Sequence, residues 1–181
     1  MEKNSCKSQT YEKVRVLRVT IIKEKSMEPL SVVLVWNEND RTSVEKYIQY
    51  TTKMLSRDIN KPFSRTINLP IFYYSNFEEN EVPPLPKLKS EKIVIYVFIG
   101  INSVSSDKWG AYVESLYDIE NAKIVPIALD KYAYKVSDKV QSYNFIREYE
   151  LTVCKEQQLF VSMAHEIYRY GFNEKKEIIS T

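Results

Sequence analysis

The chain has 181 residues, of which 44% are hydrophobic and 28% charged, with a net charge of +2. That length suits one domain able to bury its own core, and the balance of apolar to charged residues excludes a disordered chain. Acids and bases are interspersed without a basic stripe, so no nucleic-acid partner is expected.

Residue counts exclude further classes. The three glycines, Gly100, Gly110 and Gly171, stand far apart. A P-loop or a G-x-G-x-x-G fingerprint needs clustered glycines so that the backbone can approach phosphate. His165 is the single histidine, which leaves Ser-His-Asp chemistry, Cys-His chemistry and multi-histidine metal sites without support. Its place beside an apolar stripe gives it a structural reading. Cys6 and Cys154 lack metal spacing and read as free thiols of a reducing compartment. The lead from Met1 to Thr10 is polar and has no signal-peptide core. The longest apolar run, Ile93 to Ile101, falls far short of a membrane span of ~20 residues. A cytoplasmic protein is expected, with no metal and no bound cofactor.

Residues 1–30 form a lead in which Val14 to Ile22 (VRVLRVTII) reads as an edge strand from its β-branched residues. A domain over 31–172 and a tail over 173–181 follow. Ser31 to Trp36 (SVVLVW) is apolar throughout, as a strand covered on both faces must be. A polar loop, Asn37 to Thr42, leads to a helix with Thr42 or Ser43 as N-cap. Its period-3.6 positions are Val44, Tyr47, Ile48, Thr51, Met54 and Leu55, ending near Arg57.

Leu69 to Tyr74 reads as a short strand with Pro70 at its start. The proline-rich stretch from Asn76 to Lys92 has no helical period and is expected to be a long surface loop. Ile93 to Ile99 (IVIYVFI) is the strongest strand, ended by Gly100 and a Ser/Asn-rich loop to Ser106. Ser106 then caps a helix over 107–119 that carries Trp109, Val113, Leu116 and Tyr117 on one face. Ile124 to Leu129 is another buried strand, in which Pro126 argues for a bulge or an edge. Asn144 to Ile146 is a candidate last strand. Glu156 to Tyr170 is a helix whose stripe is Leu159, Phe160, Met163, Ala164 and Ile167, stopped by Gly171.

Strands alternating with helices predict an α/β fold, a doubly wound, mostly parallel five-stranded sheet of flavodoxin-like order. Residues 32–36 should lie between 70–74 and 93–99. Ligands of such sheets bind beyond the carboxyl ends of the strands, where the strand order reverses. The loops at that point carry Glu38, Asp40, Arg41, Asn102, Ser103 and Ser105. Polar loops after strands also serve simply as caps and turns.

The segment SVVLVWNENDRTSVEKYIQYTTKML resembles the opening strand, acidic loop and first helix of a Toll/interleukin-1 receptor (TIR) domain. NLPIFYYS resembles its second strand, KIVIYVFIGINSVSSDKWGAYVESL its third strand and following helix, and AKIVPIALD its fourth strand. The likeness covers roughly residues 31–130 and is greatest to divergent bacterial TIR-like domains of defence systems. It implies cleavage of the nicotinamide–ribose bond of NAD, with NAD as substrate. A carboxylate can stabilise the oxocarbenium-like state of that reaction, as carboxylates do in glycoside hydrolysis.

The resemblance implies Glu114 as that carboxylate. Trp109 would stack on a ring, and Asn37, Asp40, Ser103 and Ser106 would hold ribose or phosphates. Family members have S-x-W-x-x-x-E; here Ser106 stands three before Trp109 and Glu114 five after it. Read without the resemblance, Trp109 is a core residue and Glu114 a solvated one. Two functions stand beside each other. One is an NAD-cleaving effector of immunity or antiphage defence; the other is a non-catalytic TIR-type assembly module, with residues 76–89 as its docking loop.

Overall fold

The computed structural model describes residues 27–57, 60, 67–76 and 81–172. The strand read over Val14 to Ile22 and the tail over 173–181 lie outside the described residues. Five strands, β1 (Glu28–Trp36), β2 (Ile71–Ser75), β3 (Ser90–Ile99), β4 (Ala122–Ala128) and β5 (Ile146–Arg147), form one sheet in the order β2-β1-β3-β4-β5. Every pairing is parallel. The fold is thus a doubly wound, flavodoxin-like α/β sheet, with β1 between β2 and β3 as the sequence predicts.

The sheet is covered on both faces because side chains of successive strand residues point to opposite sides. Val32, Leu34, Trp36, Val94, Tyr96 and Phe98 pack beneath helices α1 (Arg41–Leu55) and α4 (Lys155–Gly171). Val33, Val35, Ile95, Val97 and Ile99 pack on the other face, with α3 (Asp107–Leu116) and the segment around Val136 and Val140. Parallel strands leave no face for water, which is why β1 and β3 read as unbroken apolar runs. Among the described residues, no helix is long and apolar enough to cross a membrane.

Several boundaries differ from the sequence reading. β1 starts at Glu28 and runs through Pro29. α1 is not capped at Thr42 or Ser43. A 3₁₀ turn, Glu38–Asp40, feeds directly into it, so Asp40 is the N-cap residue. The expected loop after Gly100 contains a short helix, α2 (Ile101–Val104). It forms because the Gly100 carbonyl accepts from the amides of Ser103 (3.1 Å) and Val104 (3.2 Å). Pro126 causes no bulge and keeps register opposite Val97. β5 reaches only Ile127 and Ala128, so at Pro126 the outer side of β4 is an edge.

β5 itself falls later than Asn144 to Ile146. Gly171 is the last helical residue, with Phe172 at the C-cap, rather than the stop beyond it. The proline-rich stretch is only partly a surface loop. Pro83 and Pro86 are buried, and Val82 and Leu88 pack on the α3 side of the core, leaving Pro84, Leu85 and Lys87 exposed.

α4 closes the α1 face. Leu159, Met163 and Ile167 are buried, whereas Phe160 and Ala164 lie half-buried at the stripe's margin. Met163 is fully buried. Its sulfur accepts from Thr51 Oγ at 3.8 Å, and its carbonyl accepts from the Tyr96 hydroxyl. Truncation there leaves a cavity that rigid neighbours cannot fill. Met163→Ala is expected to lower the unfolding free energy by about 2–5 kcal/mol in a denaturant titration. A loss under about 0.5 kcal/mol would show that the helix is peripheral to the core.

Candidate functional site

Reversal of strand order between β1 and β3 opens a gap at their carboxyl ends, because the following helices leave to opposite faces. The chain builds that gap from short polar turns. Asn37, buried at the end of β1, accepts the Asn39 amide on its side-chain oxygen at 3.0 Å and so starts the 3₁₀ turn. The Asn76 side-chain oxygen accepts from the Glu38 amide at 2.8 Å, tying the end of β2 to this turn. Glu38 itself is engaged by Trp36 Nε1 (3.1 Å) and Arg41 Nη1 (2.6 Å). The turn then delivers Asp40 into the gap.

Asp40 is a buried carboxylate with a single side-chain partner. It is 7% exposed. One oxygen, Oδ1, accepts from Asn102 Nδ2 at 2.6 Å, and the other, Oδ2, has no hydrogen-bond partner. Its carboxylate occupies the space beside Gly100 where a side chain would begin. A Cβ on Gly100 would stand 2.8–2.9 Å from the three carboxylate atoms. Burial raises the Asp40 pKa above the usual carboxylate value. Asp130 pushes the same way, and Asn102 opposes. The Ser103 hydroxyl also opposes the rise slightly, although it reaches no hydrogen bond of normal geometry and is itself buried and unpartnered.

A cleft of about 390 Å³ opens beside Asp40. Thr42, Ser43 and Lys46 line it from the first turns of α1. Gly100 and Ile101 contribute from the end of β3, and Leu129, Asp130 and Glu148 from the ends of β4 and β5. Asp130 Oδ1 accepts the Tyr132 amide at 2.7 Å, which fixes its turn. Glu148 is buried and accepts from the Tyr47 hydroxyl and from Lys155 Nζ at 3.2 Å, joining α1 to the start of α4. Burial first, then the hydrogen bond to Glu148, raises the Tyr47 pKa and keeps it a phenol donor. Three acids thus face one cleft with one lysine. Among the described residues, no group of three or more His, Cys, Asp or Glu side chains is placed to hold a metal ion.

The residues singled out from sequence separate in space. Asp40, Asn102 and Ser103 come together at the cleft. Asn37 serves the turn behind it. Ser106 occupies the N-cap position of α3 without a side-chain cap bond. Trp109 is 1% exposed in the core with its ring edge-on to Tyr112, 5.5 Å between centroids. Its Nε1 has no partner. Glu114 is half-buried on α3, accepts from the Ser137 hydroxyl, and is not among the residues lining the cleft.

The reason for the Glu114 placement lies one turn earlier on the same helix face. Gly110 lacks the Cβ that would stand 2.5 Å from the Val136 carbonyl oxygen, so the chain over 133–137 lies against this face and Ser137 meets Glu114. Asp130, Glu148, Lys46 and Tyr47 were not read as site residues. Asp130 directly follows an apolar strand, a signal that the strand-end rule could have caught. Glu148 follows a strand of two residues, which carries no pattern.

The Asp40–Gly100 contact generates two expected outcomes. Gly100→Ala should displace the carboxylate and lower stability, read as a drop in Tm of several degrees. Asp40→Asn should instead raise Tm at neutral pH. A folded pKa above the unfolded one means that the native state holds the proton more tightly. Stability therefore falls as pH rises through that window, and the charged form is the costly one. The gain should shrink as pH falls toward the ordinary aspartate range. A loss of Tm in Asp40→Asn at every pH would assign the carboxylate a structural role instead.

The chain matches no known protein family, no curated protein and no solved structure.

Proposed function

We propose that this chain is a TIR-like domain that cleaves NAD at the switch-point cleft, with Asp40 as the reacting-centre carboxylate, and that it acts as an NAD-depleting effector in antiphage defence. One observation carries this reading: a carboxylate, nine-tenths buried, lines the cleft at the β1/β3 reversal with one oxygen unpartnered. The parallel sheet order is compatible with it.

A desolvated carboxylate interacts strongly with a positive charge developing beside it. Cleavage breaks the C1′–N bond, and the bonding electrons leave with nicotinamide. Positive charge spreads over C1′ and the ring oxygen, opposite Asp40. Water then adds to C1′ and gives up a proton. Asp130 and Glu148 add to the negative potential that favours the cationic reactant and transition state. Thr42 and Ser43 hydroxyls stand at the mouth to hydrogen-bond sugar or phosphate oxygens, and Lys46 supplies the positive charge for phosphate.

A second reading, a non-catalytic assembly module, is favoured by Glu114 and Trp109. The residues that the family pattern would use are held away from the cleft by Ser137 and by the core.

The purified protein incubated with NAD at high concentration is expected to release nicotinamide. Asp40→Asn should lower the rate by about 100-fold or more, and Glu114→Gln by less than about threefold. Loss in Glu114→Gln with retention in Asp40→Asn would move the chemistry to α3. No nicotinamide from the wild type at any protein concentration would favour the assembly module.

A further inference from the structure

The walls of the cleft beside Asp40 differ in chemistry. One edge is the exposed start of α1, where Thr42, Ser43 and Lys46 stand three and four residues apart and so share one side of the helix. Among the described residues, Lys46 is the one cation that lines the cleft. The cations nearby are engaged: Arg41 with Glu38 at 2.6 Å and Lys155 with Glu148 at 3.2 Å. Lys46 makes a loose ion pair, 3.9 Å to Glu156, between side chains that are 48% and 36% exposed. A pair of that kind contributes little and is readily exchanged for a phosphate. Across the cleft, Ile101 lies 49% exposed beside Gly100 and the half-buried Leu129. These residues offer an apolar face to one flat ring.

We infer that the cleft holds only the nicotinamide mononucleotide half of NAD, with the ring against Ile101 and Leu129, the 5′-phosphate at Lys46, and the adenosine phosphate half outside. This rests on the reading of the cleft as the site of NAD cleavage, and it makes the mononucleotide a substrate in its own right.

Size favours the half-site. The cleft of about 390 Å³ falls near the lower bound of ligand sites, which run to about 300–1,000 Å³. NAD joins two nucleotides of similar size, and a cavity near that bound suits one of them. Charge favours it as well. Each phosphate of the dinucleotide carries one negative charge. The inner one meets Lys46. The outer one finds no second cation on the cleft walls; Asp130 and Glu148 stand on one side, and Glu156 stands beyond Lys46. The two bases also differ. The nicotinamide ring of the nucleotide is a pyridinium cation, whereas adenine is neutral, so the acids of the cleft attract the first and give the second nothing.

Nicotinamide release by the purified full chain from NAD, nicotinamide mononucleotide and nicotinamide riboside tests the half-site. NAD and the mononucleotide are expected to react with kcat/KM within about threefold of each other. The riboside, which lacks the phosphate, should be slower by about tenfold. Lys46→Ala should lower kcat/KM for NAD and for the mononucleotide by about tenfold more than for the riboside. Ile101→Ser should raise KM for all three alike, since all carry the same ring. Saturation-transfer NMR of NAD with Asp40→Asn, in which turnover is slow, reads binding apart from cleavage. The nicotinamide and adjoining ribose protons should be saturated and the adenine protons spared. NAD favoured over the mononucleotide by about thirtyfold or more would overturn the half-site while leaving cleavage in place. Adenine protons saturated as strongly as those of nicotinamide, or an equal loss for the riboside in Lys46→Ala, would do the same. No nicotinamide from any of the three would instead overturn the cleavage reading, and the half-site would then stand or fall on the saturation pattern.

Discussion

The requirement that β1 and β3 be buried on both faces governs the rest of this molecule. Neither strand can pair in the middle of a parallel sheet and also face water, so helices must cover both sides. The chain after β1 turns to one face and the chain after β3 to the other. Their divergence leaves the space at the carboxyl ends that Asp40, Gly100 and α2 then fill. Each core valine, leucine or isoleucine gains roughly 1.5–3 kcal/mol from burial. Those gains hold rigid the frame on which a costly, half-satisfied carboxylate can be kept.

Asp40 runs against the tendency of buried polar groups to be fully hydrogen-bonded. Asn102 satisfies one oxygen and nothing satisfies the other. Around it, the Ser103 hydroxyl is also unpartnered, but other polar groups are paired: Glu38 with Trp36 and Arg41, Glu148 with Tyr47 and Lys155, Asn37 with the Asn39 amide. The contrast sets Asp40 apart from the acids Glu38 and Glu148. An unpartnered group is the one that gains most from a ligand, and a ligand with positive charge gains most from it in return.

The cleft lies at the carboxyl end of the sheet, and the start of α4 is tied to it, since Lys155, the first residue of that helix, is bonded to Glu148, an acid of the cleft.

The sequence by itself determined the class of the fold. The unbroken apolar runs at Val32–Trp36 and Ile93–Ile99 specify strands covered on both faces, and the 3.6 period of 156–170 specifies a covering helix. Periodicity is a local property, and local spacing suffices to record it. The sequence also put Asp40 among the candidates, through the rule that parallel sheets bind beyond their strand ends. It could not tell that Asp40 lines the cleft while Glu114 does not, because burial and partners come from residues distant in the chain. Asn102 holds Asp40 from 62 residues away, and Val136 meets the Gly110 face that fixes Glu114. Glu148 was illegible for the same reason: a two-residue strand has no pattern, and only its pairing with β4 carries that acid to the cleft. Tertiary packing decided which polar side chains met, since each such meeting depends on where the covering helices and turns come to rest against the sheet.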